Sequence, residues 1–174
     1  MTADGRLTLV LIRHAIAMDR AEFARSGKSD DERPLTAEGR RKMRQGAGGL
    51  RRILPLLDVL ASSPLRRAWE TSELVAEAFG QVLIDRLPAS ADGDGDALLA
   101  ALRATAPGTT MAVVGHEPTQ GRWTSWLLAG REGGFVEYKK GEACALRFPR
   151  EVEPGTGRLL WKLAPRHLRM LGED

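Results

Sequence analysis

Short apolar runs alternate with stretches of helical spacing along this chain, and that alternation most limits the folds open to it. Leu7 to Ile12 is an unbroken apolar run, the pattern of a parallel strand covered on both faces. "LLDVLASSP" predicts a second strand at about Asp58 to Ala61, "QVLIDRL" a short third, and "TTMAVVGHEP" a fourth that breaks at Gly115-His116. One helix is predicted after Pro34-Leu35, with Thr36 as its N-cap. Gly39, Gly46, Gly48 and Gly49 weaken it on propensity alone. Ser63-Pro64 opens another, Ser63 as N-cap and Pro64 at the first helical position, and Gly80 stops it. Further helices are expected from Asp96 to Ala106 and around Trp123, Trp126 and Leu127.

Met18 to Arg33 and "ASADGDGD" read as loops. After Gly133, "FVEYKKGEACALRFP" reads as two strands around Lys140-Gly141, and "GRLLWKLAP" as another. The expected class is therefore α/β, a three-layer α/β/α sandwich with a mainly parallel central sheet and antiparallel edge strands. No linker or internal repeat interrupts the 174 residues, so a single domain over 1–174 is expected.

A hydrophobic content of 43% and a charged content of 28% belong to a globular chain, not a disordered one. The single cysteine, Cys144, excludes an internal disulfide framework and fits a reducing, cytoplasmic setting. The N-terminal apolar run is too short to span a bilayer and has no cleavage site, so neither a membrane span nor a signal peptide is expected. A net charge of +3 comes with a basic cluster at Arg40, Arg41, Lys42, Arg44, Arg51 and Arg52, which reads as a solvated helix face or as a platform for an acidic partner. Nucleic acid is not expected, because no recognition motif or interleaved aromatic residue accompanies these charges.

A strand that only closes a core ends in Gly, Asn, Asp or Pro. Here the first strand ends in Arg13-His14, the second leads to Arg66-Arg67, and the fourth ends at His116. In open α/β sheets, sites lie beyond the carboxyl ends of parallel strands, so these groups are expected to meet in one pocket. Arginine forks match phosphoryl oxygens, and Arg67 falls in a helix first turn, where free N–H groups also favour an anion. No GxxxxGK[ST] loop is present, nor a Cys followed five residues later by Arg. Asp92, Asp94 and Asp96 have the wrong residues at Ala97 and Arg103 for a calcium loop. No metal or cofactor is expected, and the remaining nucleophile is a neutral imidazole that attacks phosphorus.

"LIRHA", "RPLTAEG", "SSPLRRAWETSE" and "VVGHEP", in that order, resemble the histidine phosphatase superfamily, and more narrowly its small bacterial SixA-type phosphohistidine phosphatases. The resemblance implies a phosphoglycerate mutase-like fold. It gives His14 as nucleophile, Arg13 and Arg67 as phosphate-binding arginines, and His116 as the second histidine, expected to be cationic. Arg67 is preferred over Arg66 because the family's arginine directly precedes Ala. Arg66 then becomes a surface residue or, with Arg33, a substrate-rim contact. Ala15 stands where the wider superfamily has Gly, which is tolerable if its backbone is not at positive φ.

Where many superfamily members carry a general acid after the third strand, this chain reads Leu87-Pro88-Ala89. Expelling an alkoxide needs such a donor, whereas a protonated imidazole leaves readily. The resemblance therefore implies a phosphohistidine-bearing protein as substrate, either a phosphotransfer domain or a phosphocarrier, and a monomeric enzyme. Two alternatives stay open: a small-molecule phosphomonoesterase using Asp92, Asp94 or Asp96 as acid, and a non-catalytic phosphoprotein-binding module. Of the remaining residues, His167 is expected on the surface of the tail, Trp123 and Trp126 in the core, and Cys144 as a small hydrophobe of an edge strand.

Overall fold

In the computed structural model, which describes residues 5–149 and 151–173, the apolar runs form one six-stranded sheet in the order β3-β2-β4-β1-β5-β6. Its strands are β1 (Leu7–Arg13), β2 (Val59–Ser62), β3 (Ile84–Arg86), β4 (Thr110–Gly115), β5 (Ala143–Phe148) and β6 (Arg158–Leu163). β1, β2, β3 and β4 pair in parallel, and β5 and β6 add to β1 antiparallel. The expected α/β/α sandwich follows from the alternation of side chains along each strand. Val10 and Ile12 face one core with Ala112, Val114, Ala143 and Ala145, while Leu7, Leu9 and Leu11 face the other with Met111, Val113, Cys144 and Leu146.

The first core is closed by α2 (Ala37–Ile53), α3 (Arg66–Ala78) and α7 (Pro165–Gly172), and the second by α4 (Ala89–Asp92), α5 (Gly95–Ala104) and α6 (Thr119–Ala129). Thr36 caps α2 as expected, its hydroxyl accepting from the Gly39 N–H at 2.9 Å. The glycines of α2 let other backbone approach. A Cβ at Gly49 would meet the Leu168 carbonyl oxygen at 1.8 Å, and one at Gly39 the Ile16 oxygen at 2.0 Å.

Several sequence expectations need correction. The Met18 to Arg33 loop contains a short helix, α1 (Arg20–Ala24), and a 3-10 turn at Asp30–Glu32. "ASADGDGD" is largely helical, because Asp94 accepts from the Ala97 N–H at 3.0 Å and caps α5. α3 starts at Arg66 with Leu65 at its cap position, so Ser63 is not the cap. Only the second of the two strands predicted around Lys140-Gly141 forms. The Val136 and Tyr138 N–H groups donate to the side chains of Ser125 and Glu117 instead of to a neighbouring strand. β5 lies between β1 and β6, so buried Cys144 is in an inner strand, not an edge one. His167 is exposed as expected, on helix α7. Trp123 is buried in the core, and Trp126 packs half-buried against it. Among the described residues no helix is long and apolar enough to cross a membrane.

Candidate active site

Parallel register brings the two histidines together. Arg13 pairs with Gly115 and Ser62 with Val114, so the residues after β1, β2 and β4 leave the sheet side by side. The His14 N–H donates to the Gly115 carbonyl at 2.9 Å, and the Ser63 N–H to that of Val114 at 3.0 Å. The His14 and His116 ring centroids lie 5.1 Å apart. Gly115 is required at the end of β4, since a Cβ there would meet the Gln120 amide nitrogen at 2.7 Å. That amide bridges the carbonyls of Ile12 and Val113 at 3.1 and 3.2 Å and so ties the ends of β1 and β4 together.

His14 is buried, and its Nδ1 lies 2.7 Å from the Ala15 carbonyl oxygen. A carbonyl only accepts, so Nδ1 carries the proton and Nε2 keeps its lone pair. The Ala15 N–H is held by Thr71 Oγ1 at 3.0 Å, and among the described residues Gln81 is the one non-glycine at positive φ. Ala in place of Gly therefore costs no backbone strain. Burial pushes the His14 imidazole down to about 3, helped by the charges of His116, Arg67 and Arg13. Burial, then Arg67 and Arg13, lowers His116 to about 4. The expectation of a cationic His116 is corrected for the free site, since both rings are neutral near pH 7.

A cavity of about 280 Å³ opens over these rings, and its lining includes Arg13, His14, Arg33, Arg67, His116 and Glu117. Arg13 donates from Nη1 to the Tyr138 carbonyl at 2.5 Å, and Arg67 from Nη1 to the Asp30 carbonyl at 2.9 Å. Three nitrogens of the site, Arg13 Nε, Arg67 Nε and His116 Nδ1, are buried without a hydrogen-bond partner. Buried polar nitrogens are rarely left unpaired, and all three belong to residues lining one cavity, which suits them to an anion's oxygens. Arg33, expected at the rim, is buried within the lining; its Nε meets Asp30 Oδ1 at 2.8 Å and its Nη1 the Met18 carbonyl at 2.7 Å. Arg66 does not line this cavity. It is exposed on α3 with its Nε 2.9 Å from Glu70 Oε1, a surface position outside the cavity lining.

Sequence reasoning missed three residues here. Asp30 holds both Arg33 and Arg67, and Arg33 is the main reason its carboxyl sits below the usual range. Ser63 Oγ lies 2.8 Å from His116 Nε2 and also accepts from the Leu65 N–H at 3.2 Å. Glu117 lines the cavity while its Oε1 accepts from the Tyr138 N–H at 2.8 Å. Its place directly after His116 was the one available signal. Asp94 and Asp96 line a different cavity, with Arg122 and Trp126. Among the described residues no group of three His, Cys, Asp or Glu side chains is placed to hold a metal ion.

The comparisons agree with this geometry. The family model described as Histidine phosphatase superfamily (branch 1) matches residues 9–89. An uncharacterised protein of Picosynechococcus sp. is 33% identical over 147 residues, 81% of this chain and 85% of that protein. The structure of the protein histidine phosphatase SixA complexed with tungstate superposes with a TM-score of 0.77 at 24% identity, over 92% of this chain and 99% of that one. A phosphoglycerate mutase from Plasmodium falciparum gives 0.61 at 15% identity, over 90% and 89%. The fold is thus phosphoglycerate mutase-like. With its paired strand-end histidines in an arginine-lined pocket, the chain belongs to the histidine phosphatase superfamily and is a phosphatase of that type.

Proposed function

We propose that the chain is a phosphohistidine phosphatase, which takes a phosphoryl group from a protein phosphohistidine onto His14 and passes it to water. The observation that carries this is the commitment of His14 Nδ1–H to the Ala15 carbonyl, which leaves a neutral ring with Nε2 as nucleophile. In the first step Nε2 forms a bond to phosphorus as the substrate's P–N bond breaks, and the departing imidazole nitrogen takes a proton from solvent. Water then attacks phosphorus, the His14 N–P bond breaks, and phosphate leaves while the water's proton passes to solvent. Arg13 and Arg67 hold the equatorial oxygens, Arg33 adds its charge beside them, and this positive charge needs no metal to assist it. His116 donates from Nδ1 to one oxygen when the Ser63 hydroxyl donates to its Nε2.

The leaving group is inferred from the carboxylates. Asp19 and Glu117 both line the cavity; the Glu22 N–H holds Asp19 below the usual carboxylate range, and Glu117, which burial raises, is tied to the Tyr138 N–H. Ala89, which stands where many relatives place an acid, is buried in α4. A P–N bond suits such a site, because imidazole leaves without a dedicated acid. A cavity of about 280 Å³ takes a phosphoryl group and an imidazole ring and leaves the carrier outside.

The test is phosphate release by metal-free protein from a phosphohistidine-bearing phosphotransfer protein, beside a panel of alkyl phosphate esters, with His14→Ala as control. Preference for the phosphohistidine and no turnover by His14→Ala are expected. Better turnover of alkyl esters would overturn the substrate, and an active His14→Ala would overturn the nucleophile.

A further inference from the structure

The catalytic cavity is too small for a protein, so the body of a phosphohistidine carrier must lie on the surface around it. Two neighbouring depressions flank it, and their charges differ. One, of about 450 Å³, carries Glu117 and Glu137 as well as Arg13 and Arg122, so its charges balance. The other is a groove of about 350 Å³ that starts at Ala15 and Ile16, immediately after His14.

Ile16, Met43 and Pro165, with glycines of α2, give this groove an apolar floor. Lys42, Lys139, Lys140 and Arg169 surround it, and no acidic residue is in the lining. Two carboxylates lie beside it and both are engaged: Glu38 pairs with Lys42 at 2.6 Å in the field of Arg169, and Glu142, itself buried, accepts the Lys139 N–H at 2.6 Å and pairs with Lys162. Lys139 and Lys140 are exposed, and among the described residues neither side chain has an ion-pair partner. Lys140 also lines the catalytic cavity, so groove and cavity share an edge.

We propose that this groove docks an acidic face of the phosphohistidine-bearing protein, with an apolar side chain of the carrier on the floor and its carboxylates on the cationic rim. The proposal rests on the phosphohistidine reading above. Rim charges of this kind act mainly on association rate, and their effect fades as salt screens them. A partner docked here would reach the catalytic cavity across Lys140, the residue that groove and cavity share. The charge-balanced depression across the cavity offers an acidic partner no such attraction.

The experiment compares the wild type with the double variant Lys139→Glu/Arg169→Glu, neither residue being part of the catalytic cavity. Two probes are used, a phosphorylated phosphotransfer protein of net negative charge and free phosphohistidine, each at 50 mM and 500 mM salt. The variant is expected to lose roughly tenfold in kcat/KM on the protein at low salt. It should also lose most of the wild type's salt dependence, and keep free phosphohistidine turnover within about twofold. Equal losses on both probes, or no loss on the protein, would overturn the groove while leaving the phosphohistidine reading intact. Failure of the wild type to turn over either probe would overturn that reading, and the groove with it.

Discussion

Glu117 and Arg13 hold one residue, Tyr138, by the two successive peptide groups on either side of it. Glu117 Oε1 accepts the Tyr138 N–H at 2.8 Å, and Arg13 Nη1 donates to the Tyr138 carbonyl at 2.5 Å. Burial raises the Glu117 carboxyl, and the Tyr138 and Gly121 N–H dipoles act against it. Gly141 completes the clamp by donating to the Arg13 and His14 carbonyls, both at 3.1 Å.

Glu117→Ala should therefore free the Tyr138 N–H, loosen the residue that Arg13 holds, and weaken vanadate inhibition by about tenfold, the scale of a lost hydrogen bond to a charged group. In an Arg13→Ala background the same substitution should have little further effect, because the two act through one residue, Tyr138. Full additivity in that double-mutant cycle would show that Glu117 does not act on Arg13.

The two arginines of "LRRA" separate cleanly in the structure. Arg67 is buried with an unpartnered Nε in the site, and Arg66 is exposed against Glu70. Arg67→Ala should weaken vanadate inhibition by roughly 10²-fold, in line with the loss of one preorganised donor to a phosphoryl oxygen. Arg66→Ala should stay within about twofold, as surface ion pairs contribute little. Equal effects would mean the wrong arginine has been assigned.

The depressed histidines make a prediction about pH. His14 at about 3 and His116 at about 4 stay neutral in the folded protein at pH 5, while in the unfolded chain both protonate near the ordinary value of 6.5. Between about 6.5 and 4 the unfolded state binds more protons, so stability falls as pH falls through that window. The pair contributes on the order of a few kcal/mol in this way, a sizeable share of a typical stability of ~5–15 kcal/mol. Glu117, raised by burial, acts with the opposite sign above its ordinary 4.5. It is common to wild type and variant, so their comparison cancels it. Urea midpoints should drop from pH 7 to pH 5 in the wild type and much less in His14→Gln/His116→Gln. An equal drop in both would refute the linkage.

The readable parts of this chain were those in which one residue type has one physical use. Continuous apolar runs could only be covered strands, and Arg13, His14, Arg67 and His116 at strand ends or in a helix first turn could only be brought together by a parallel sheet. Short polar side chains have several uses, and there the reading failed. Ser63 before Pro64 looks like an N-cap, yet its hydroxyl serves the Leu65 N–H and His116. Asp30 is one acid of an acidic run in the sequence, and only the fold brings Arg33 and Arg67 onto it. Tyr138 lies in what reads as a strand, because sequence cannot reveal that Glu117 takes its N–H.

The glycines of α2 reverse an argument from propensity. Gly→Ala in a helix interior ordinarily stabilises by ~1 kcal/mol. At Gly49 the new Cβ would meet the Leu168 carbonyl oxygen at 1.8 Å, and at Gly39 the Ile16 oxygen at 2.0 Å. Neither contact ends in a flexible side chain, so backbone must move, at a cost of ~1–3 kcal/mol or more for overpacking. The clash wins at both positions, and both variants should unfold at lower urea. They should differ in function. Gly49 meets α7, which contributes no residue to the catalytic cavity, so Gly49→Ala should keep kcat/KM on free phosphohistidine, which does not use the groove, within about twofold once folded. Ile16 lies two residues beyond His14 and its carbonyl also accepts the Thr36 N–H at 3.0 Å, so Gly39→Ala should shift the segment that carries the nucleophile. A displacement near 1 Å there is expected to lower kcat by roughly 10²-fold. If Gly39→Ala loses stability but keeps full turnover, the Ile16 segment is not what sets the position of His14.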